Sequence, residues 1–274
     1  MHTGEGQGST IARALRTEWQ RADRNMPMRR RLVAGNWKMN GSLAALDELE
    51  DIASLAASHP DVDVAVALPV TLIAAAKTRF PGLIIGAEDV HAAECGAYTG
   101  SISAGMIKEI GANFSLIGHS ERRIHCRESN ADVKAKGEAL HRHGMNAILC
   151  VGETAAQRQA GKAEKAVAAQ ISSALPAGME LRWLTVAYEP VWAIGSGNMP
   201  TLEEVGSMHR AIRTKLRALI GAEADTVRLL YGGSVSPANA PDLFGARDVD
   251  GVLVGGASLS AATFAPIIEA AAKA

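Results

Sequence analysis

No stretch of this chain stays apolar over the roughly 18 residues that a membrane-spanning helix needs. Neither sign of charge is in excess: Lys and Arg number 28, Asp and Glu 29, and the formal net charge is −1. Such a balance leaves no electrostatic footprint for nucleic acid or an anionic membrane. The three cysteines, Cys95, Cys126 and Cys150, are an odd number without CxxC or Cys/His metal spacing. That argues against a disulfide scaffold or a zinc site and for a reducing, cytoplasmic setting. A signal-type apolar region is missing from the N-terminal segment, and the first strand–helix turn lacks the GxGxxG fingerprint of dinucleotide-binding sheets.

What is present is enough for one large core: 274 residues, 47% of them hydrophobic. One-domain α/β barrels commonly reach this size. Residues 1–27 differ from the rest, being rich in Gly, Arg and Thr with a short apolar face from Ile11, Leu15 and Trp19 at helical spacing. Glu5, Glu18 and Asp23 count against a transit peptide, and Met26 and Met28 are alternative translation starts. Core-like patterning begins at Arg31-Leu32-Val33-Ala34-Gly35. The chain therefore divides into a dispensable extension, 1–27, and a catalytic domain, 28–274. A small helix docked through Ile11, Leu15 and Trp19 is the alternative.

From residue 31 onward, short apolar runs alternate with longer amphipathic ones. Strands are expected at Leu32–Gly35, Val62–Ala67, Leu83–Ala87, Phe114–Ile117, Ala147–Cys150, Leu184–Ala187, Arg228–Tyr231 and Gly251–Val254. Helices are expected between them, among others at Ser42–Ser58, Asn130–His143, Gly161–Leu175 and Thr201–Leu219, with Ser42, Asn130 and Thr201 as N-caps. Most of the strands are continuous apolar runs, as a parallel sheet covered by helices requires. Eight such units predict a single-domain (β/α)8 barrel, with an open doubly wound sheet as the alternative.

Function in such a barrel collects at the C-terminal strand ends. Glu189 follows the sixth strand in Ala187-Tyr188-Glu189-Pro190-Val191-Trp192-Ala193-Ile194-Gly195-Ser196-Gly197. Pro190 stops the strand, and the rigid start, bulky middle and glycine end suit a hinged lid over a carboxylate. Taken alone, Glu189 could equally be a solvated surface residue. Lys38 follows the first strand in Gly35-Asn36-Trp37-Lys38, and could hold an anion or simply snorkel at the surface. His119 and Glu121 follow the fourth strand. The histidine is a candidate acid or electrophile, and Glu121 could pair with Lys38. Glycine pairs Gly232-Gly233, before Ser234, and Gly255-Gly256 follow the seventh and eighth strands. Those loops are where such barrels hold phosphate, although glycine pairs also serve ordinary tight turns. A carboxylate base, a histidine, a lysine and a phosphate cradle suit proton abstraction beside the carbonyl of a small phosphorylated substrate.

The stretches GNWKMNG, HAAECGAYTG, IGHSERR, CVGE, AYEPVWAIGSG, YGGSV and GVLVGGASL, in this order, resemble the triosephosphate isomerase family across essentially the whole barrel. The resemblance implies that Glu189 moves a proton between the two carbons of dihydroxyacetone phosphate and glyceraldehyde 3-phosphate, in glycolysis and gluconeogenesis. It implies that His119 donates as a neutral imidazole, that Lys38 supplies positive charge, and that Asn36 donates near the same oxygens. Gly195, Ser234, Gly255 and Gly256 would bind the phosphate, with no metal or organic cofactor. It further implies a homodimer in which the loop Cys95–Gly100 enters the neighbouring subunit, where Thr99 braces Asn36 and Glu121.

Three departures from the family pattern stand out. Ser101 replaces a frequent Glu, Ser196 replaces a lid Thr, and Pro200 occupies the far lid hinge, where its missing N–H leaves Tyr231 without a closed-lid donor. A Schiff-base aldolase would need a lysine at a mid-barrel strand end, and none of the eight strands contains or ends in one. A silent binding barrel would be expected to lack one of Lys38, His119 or Glu189, and all three are present.

Overall fold

In the computed structural model of the chain, residues 29–175, 181–194 and 199–274 are described. The expected face of Ile11, Leu15 and Trp19 and the lid residues Gly195 to Gly197 lie outside them. Eight parallel strands close into one barrel in sequence order. They are β1 (Arg31–Asn36), β2 (Val62–Leu68), β3 (Ile84–Ala87), β4 (Phe114–Ile117), β5 (Asn146–Val151), β6 (Leu184–Tyr188), β7 (Arg228–Tyr231) and β8 (Gly251–Val254). Closure comes from β8 pairing with β1, Leu32 opposite Gly251 and Gly35 opposite Val254. The open-sheet alternative is therefore overturned.

Alternation along the strands sorts side chains into two cores. Leu32, Ala34, Ala65, Ala67, Phe114, Leu116, Ile148, Ala187 and Leu230 fill the barrel interior. Val33, Val64, Val66, Ile117, Leu149, Val186 and Val252 face outward to the helices. The interior is narrow, so small residues there make room for large ones. A Cβ on Gly86 would lie 2.4 Å from the Phe114 ring. At the N-terminal rim charged groups pair: Arg228 with Asp63 at 2.6 Å, Arg213 with Asp250 at 2.9 Å, and Arg29 with Asp250 at 2.7 Å. That end of a barrel serves stability, leaving the opposite end for chemistry.

The covering helices are α1 (Glu48–Ser58), α2 (Val70–Arg79), α3 (Ala104–Glu109), α4 (Ser120–His125), α5 (Asn130–Arg142), α6 (Ala155–Gln159), α7 (Ala163–Ala174), α8 (Leu202–Ile220), α9 (Ala240–Gly245) and α10 (Ala261–Lys273). Helix α8 starts on the expected Thr201 cap, which forms a capping box. The Thr201 hydroxyl accepts from the Glu204 N–H, and the Glu204 carboxylate accepts from the Thr201 N–H at 2.7 Å. Gly221, at φ 62°, ends it. Three expected boundaries shift. The cap of α5 is Ser129, whose box partner is Asp132, rather than Asn130. The segment beginning at Ser42 opens as a 3-10 turn, Ala44–Asp47, before α1. Gly161, at φ 66°, separates α6 from α7. No helix among the described residues is long and apolar enough to cross a membrane.

Candidate active site

Four strand ends converge on one histidine and one carboxylate. Glu189 leaves β6 with its backbone held on both sides: its N–H donates to the Val151 carbonyl at 2.7 Å, and Gly232 donates to the preceding Tyr188 carbonyl at 2.7 Å. Gly152 permits this approach, because a Cβ there would sit 1.7 Å from the Glu189 carbonyl oxygen. The residue is 2% exposed, so the solvated-surface alternative does not hold. Its Oε1 lies 2.9 Å from His119 Nε2, and its Oε2 accepts from the Ser120 N–H at 3.0 Å. Burial and this neighbouring carboxylate push the fully buried Cys150 thiol far up, so Cys150 stays protonated beside Glu189.

His119 caps α4, and its Nδ1 accepts from the Glu121 N–H at 3.3 Å. A nitrogen that accepts carries no proton, so the ring proton sits on Nε2 and points toward Glu189. Burial pulls the imidazole down, but the Glu189 charge and hydrogen bond, with Glu121 behind them, raise it above the usual histidine range. Moving the Glu189 carboxylate away removes the largest raising contribution and leaves burial in control.

Lys38 lies in the loop after β1, in the left-handed region at φ 54°. An L-residue is strained there and stays only where its surroundings over-determine it. Asn36 Oδ1 accepts from the Lys38 N–H at 3.1 Å, and the Trp37 indole donates to the Ser258 carbonyl at 3.0 Å, tying this loop to the turn after β8. The ammonium reaches Glu121 Oε1 at 2.7 Å. Burial alone would raise Glu121, but Lys38 outweighs it and holds the carboxyl below its ordinary range.

The phosphate candidates sit on the same rim. Ser234 and Gly256 are exposed and Gly255 is half-buried, with Gly255 leading into the 3-10 turn Gly256–Ser258. A Cβ on Gly255 would lie 3.6 Å from Lys38 Cε, so the loop after β8 and the lysine are neighbours. Gly195 lies outside the described residues. Thr99 is exposed and faces a cavity of ≈ 530 Å³ shared with Asn36, Lys38, Glu88, His119 and Glu121. Among the described residues no cluster could hold a metal ion.

Two acidic residues outside the sequence-derived set complete the surroundings. Glu153 is fully buried, and its Oε1 accepts from Trp192 Nε1 at 2.8 Å, Tyr188 Oη at 3.1 Å and Arg158 Nη1 at 3.2 Å. Glu88 follows β3 and has a buried, unpartnered Oε1. Tyr231 Oη is likewise buried without a partner, and burial pushes the phenol up to about 12. Pro200, just before α8, is buried.

The family model for triosephosphate isomerase matches residues 31–271. The chain belongs to the triosephosphate isomerase family. It is 49% identical over 246 residues to the triosephosphate isomerase of Ruegeria sp. (strain TM1040), covering 89% of this chain and 99% of that one. It is 48% identical over 253 residues to that of Xanthobacter autotrophicus, covering 89% and 98%. The crystal structure of triosephosphate isomerase from Bartonella henselae superposes with a TM-score of 0.82 at 40% identity, over 88% of this chain and 98% of that one. These matches concern the barrel as a whole, and the family's (β/α)8 fold is the one described above.

Proposed function

We propose that this member of the triosephosphate isomerase family interconverts dihydroxyacetone phosphate and glyceraldehyde 3-phosphate through an enediolate. Glu189 takes a proton from one carbon beside the carbonyl and returns it to the other. Nε2 of His119 donates to the oxygens on which charge develops, Asn36 donates beside it, and Lys38 supplies positive charge. Gly195, Ser234, Gly255 and Gly256 form the phosphate cradle through backbone N–H groups. The observation that carries this reading is the contact of Glu189 with a histidine whose Nδ1 is an acceptor. A neutral imidazole that donates from Nε2 is the acid–base pattern already established for this family. In the described conformation the base is engaged by His119 and Ser120, so substrate has to draw the carboxylate off both. No chemical role in this scheme calls for a metal or organic cofactor.

The same reading extends to assembly and setting. The homodimer would form through the loop Cys95–Gly100, with Thr99 of one copy reaching Asn36 and Glu121 of the other. The cavity beside those residues supports it, as do the exposed Met39 and Tyr98, 97% and 50% accessible. Balanced charge and three free cysteines support a cytoplasmic enzyme that binds neither nucleic acid nor membrane. The family match begins at residue 31, which supports a dispensable segment 1–27.

A coupled assay following glyceraldehyde 3-phosphate formation tests the activity, and sedimentation of the full chain tests the dimer. No turnover by the folded protein would sink the first, and an active monomer at micromolar concentration the second. Removing residues 1–27 is expected to leave turnover and melting temperature unchanged. A melting temperature lowered by many degrees would point to the docked-helix alternative.

A further inference from the structure

Glu88 is a carboxyl in an unusual position. It directly follows β3, at the end of the barrel where the chemistry sits, and it faces the cavity lined by Asn36, Lys38, His119 and Glu121. One of its oxygens is buried without any hydrogen-bond partner. A carboxylate left this way loses its hydration without replacement, whereas the protonated acid gives up far less.

The charged groups around it come from three strand ends. After β1 are the backbone N–H and the ammonium of Lys38, and after β4 are His119 and Glu121. On its own loop are Asp89 and His91, with Asp89 already paired to Arg122 at 2.7 Å and to Lys136 at 2.6 Å. One ammonium, that of Lys38, thus stands before two carboxyls, and Glu121 already holds it at 2.7 Å. Burial is the largest influence and raises Glu88 from 4.5 to about 8, against the pull of Lys38 and His119.

We propose that Glu88 is a positioning residue for Lys38. Protonated, it leaves the ammonium to the anionic substrate; ionised, it draws that charge toward itself and repels the substrate phosphate. The mechanism gives substrate binding an alkaline limit set outside the base–histidine pair. It rests on the assignment of Lys38 to the anionic substrate.

The test is the pH profile of KM and kcat for the full chain and for Glu88→Gln, which fixes the neutral form at nearly the same shape. The parent KM is expected to rise about fivefold between about pH 7 and pH 9.5, the order produced by one added charge near a phosphate, while kcat changes less than twofold. Glu88→Gln is expected to match the parent at pH 7 and stay flat. Superimposed profiles, or a loss in kcat with KM constant, would overturn the proposal. If the variant does not fold, carbon-13 titration of the parent's glutamate carboxyls decides: a resonance moving near pH 8 supports it, and none moving above pH 6 overturns it. Lys38→Ala separates the underlying assignment. Unchanged inhibition by inorganic phosphate in that variant would remove the role of Lys38 itself, whatever Glu88 does.

Discussion

The indole N–H of Trp192 donates to Oε1 of Glu153 at 2.8 Å, fastening the segment after β6 to the end of β5. The same oxygen serves Tyr188 and Arg158, and the Arg158 guanidinium lies over the Trp192 ring at 4.5 Å from its centroid. Arg158 also pairs with Glu204 of the α8 capping box. Segments from the ends of β5 and β6, from α6 and from α8 are therefore tied together around one buried carboxylate.

Glu153→Gln removes that charge while keeping its shape. Three donors would then share one neutral carbonyl oxygen. Hydrogen bonds to charged groups contribute roughly 1.5–3 kcal/mol each, and a loss of that order in unfolding free energy is expected. Urea denaturation at fixed protein concentration measures it, and a loss under about 0.5 kcal/mol would mean the cluster tolerates a neutral acceptor.

Glu189→Gln should lower kcat by at least ~10²-fold, the lower range for a positioned general base. It should also lower the pKa of His119, since the raising charge goes and burial remains. Nitrogen-15 chemical shifts of His119 across pH report this directly. Near-normal turnover in the variant would remove Glu189 as base, and an unmoved histidine would show that the pair is uncoupled in solution.

Tyr231 and Ser234 should part company. The Tyr231 hydroxyl is buried and unpartnered, and Pro200 has no N–H to offer it. Tyr231→Phe is expected to lower kcat by less than tenfold (under about 1.4 kcal/mol) and to leave the melting temperature equal or higher. Ser234→Ala is expected to have the larger effect on kcat. The reverse order, found in steady-state kinetics, would mean the hydroxyl gains a partner when the lid closes.

Glu88 also predicts how stability depends on pH. Its carboxyl titrates at 4.5 ordinarily and at about 8 in the fold, so the native state holds the extra proton between those values. The stabilising contribution is complete below 4.5 and is lost as pH rises through about 8. Glu88→Gln should match the parent near pH 5 and exceed it near pH 9, by on the order of 3 kcal/mol. Urea midpoints at the two pH values check this, and equal differences at both would show that Glu88 ionises without penalty.

The strands were readable because each is a continuous apolar run, and such runs have few alternatives once helices separate them. Five of the ten strand-end candidates are joined in one chain of contacts: Asn36 to Lys38, Lys38 to Glu121, Glu121 to His119, and His119 to Glu189. Helix starts were less legible. Thr201 stands alone before its Glu204, but Ser129 and Asn130 are adjacent cap formers, and only the Ser129–Asp132 geometry separates them. Glu88 carried no sequence signal, and Glu153 only closed the CVGE stretch without a role of its own. Their neighbours, Lys38 and Glu121 for Glu88 and Tyr188 and Trp192 for Glu153, arrive from distant parts of the chain.

Gly152 has a consequence for how this protein could be altered. Its missing side chain lets the Glu189 backbone lie against β5, and Gly232 closes the other side from the end of β7. The Glu189 carboxylate is therefore indexed to the barrel wall ahead of Pro190. If Glu189 is the base as proposed, its aim does not depend on the loop that follows: a foreign loop spliced between Trp192 and Thr201 would inherit a correctly aimed carboxylate. An alanine at Gly152, by contrast, would misalign the base under even a native lid.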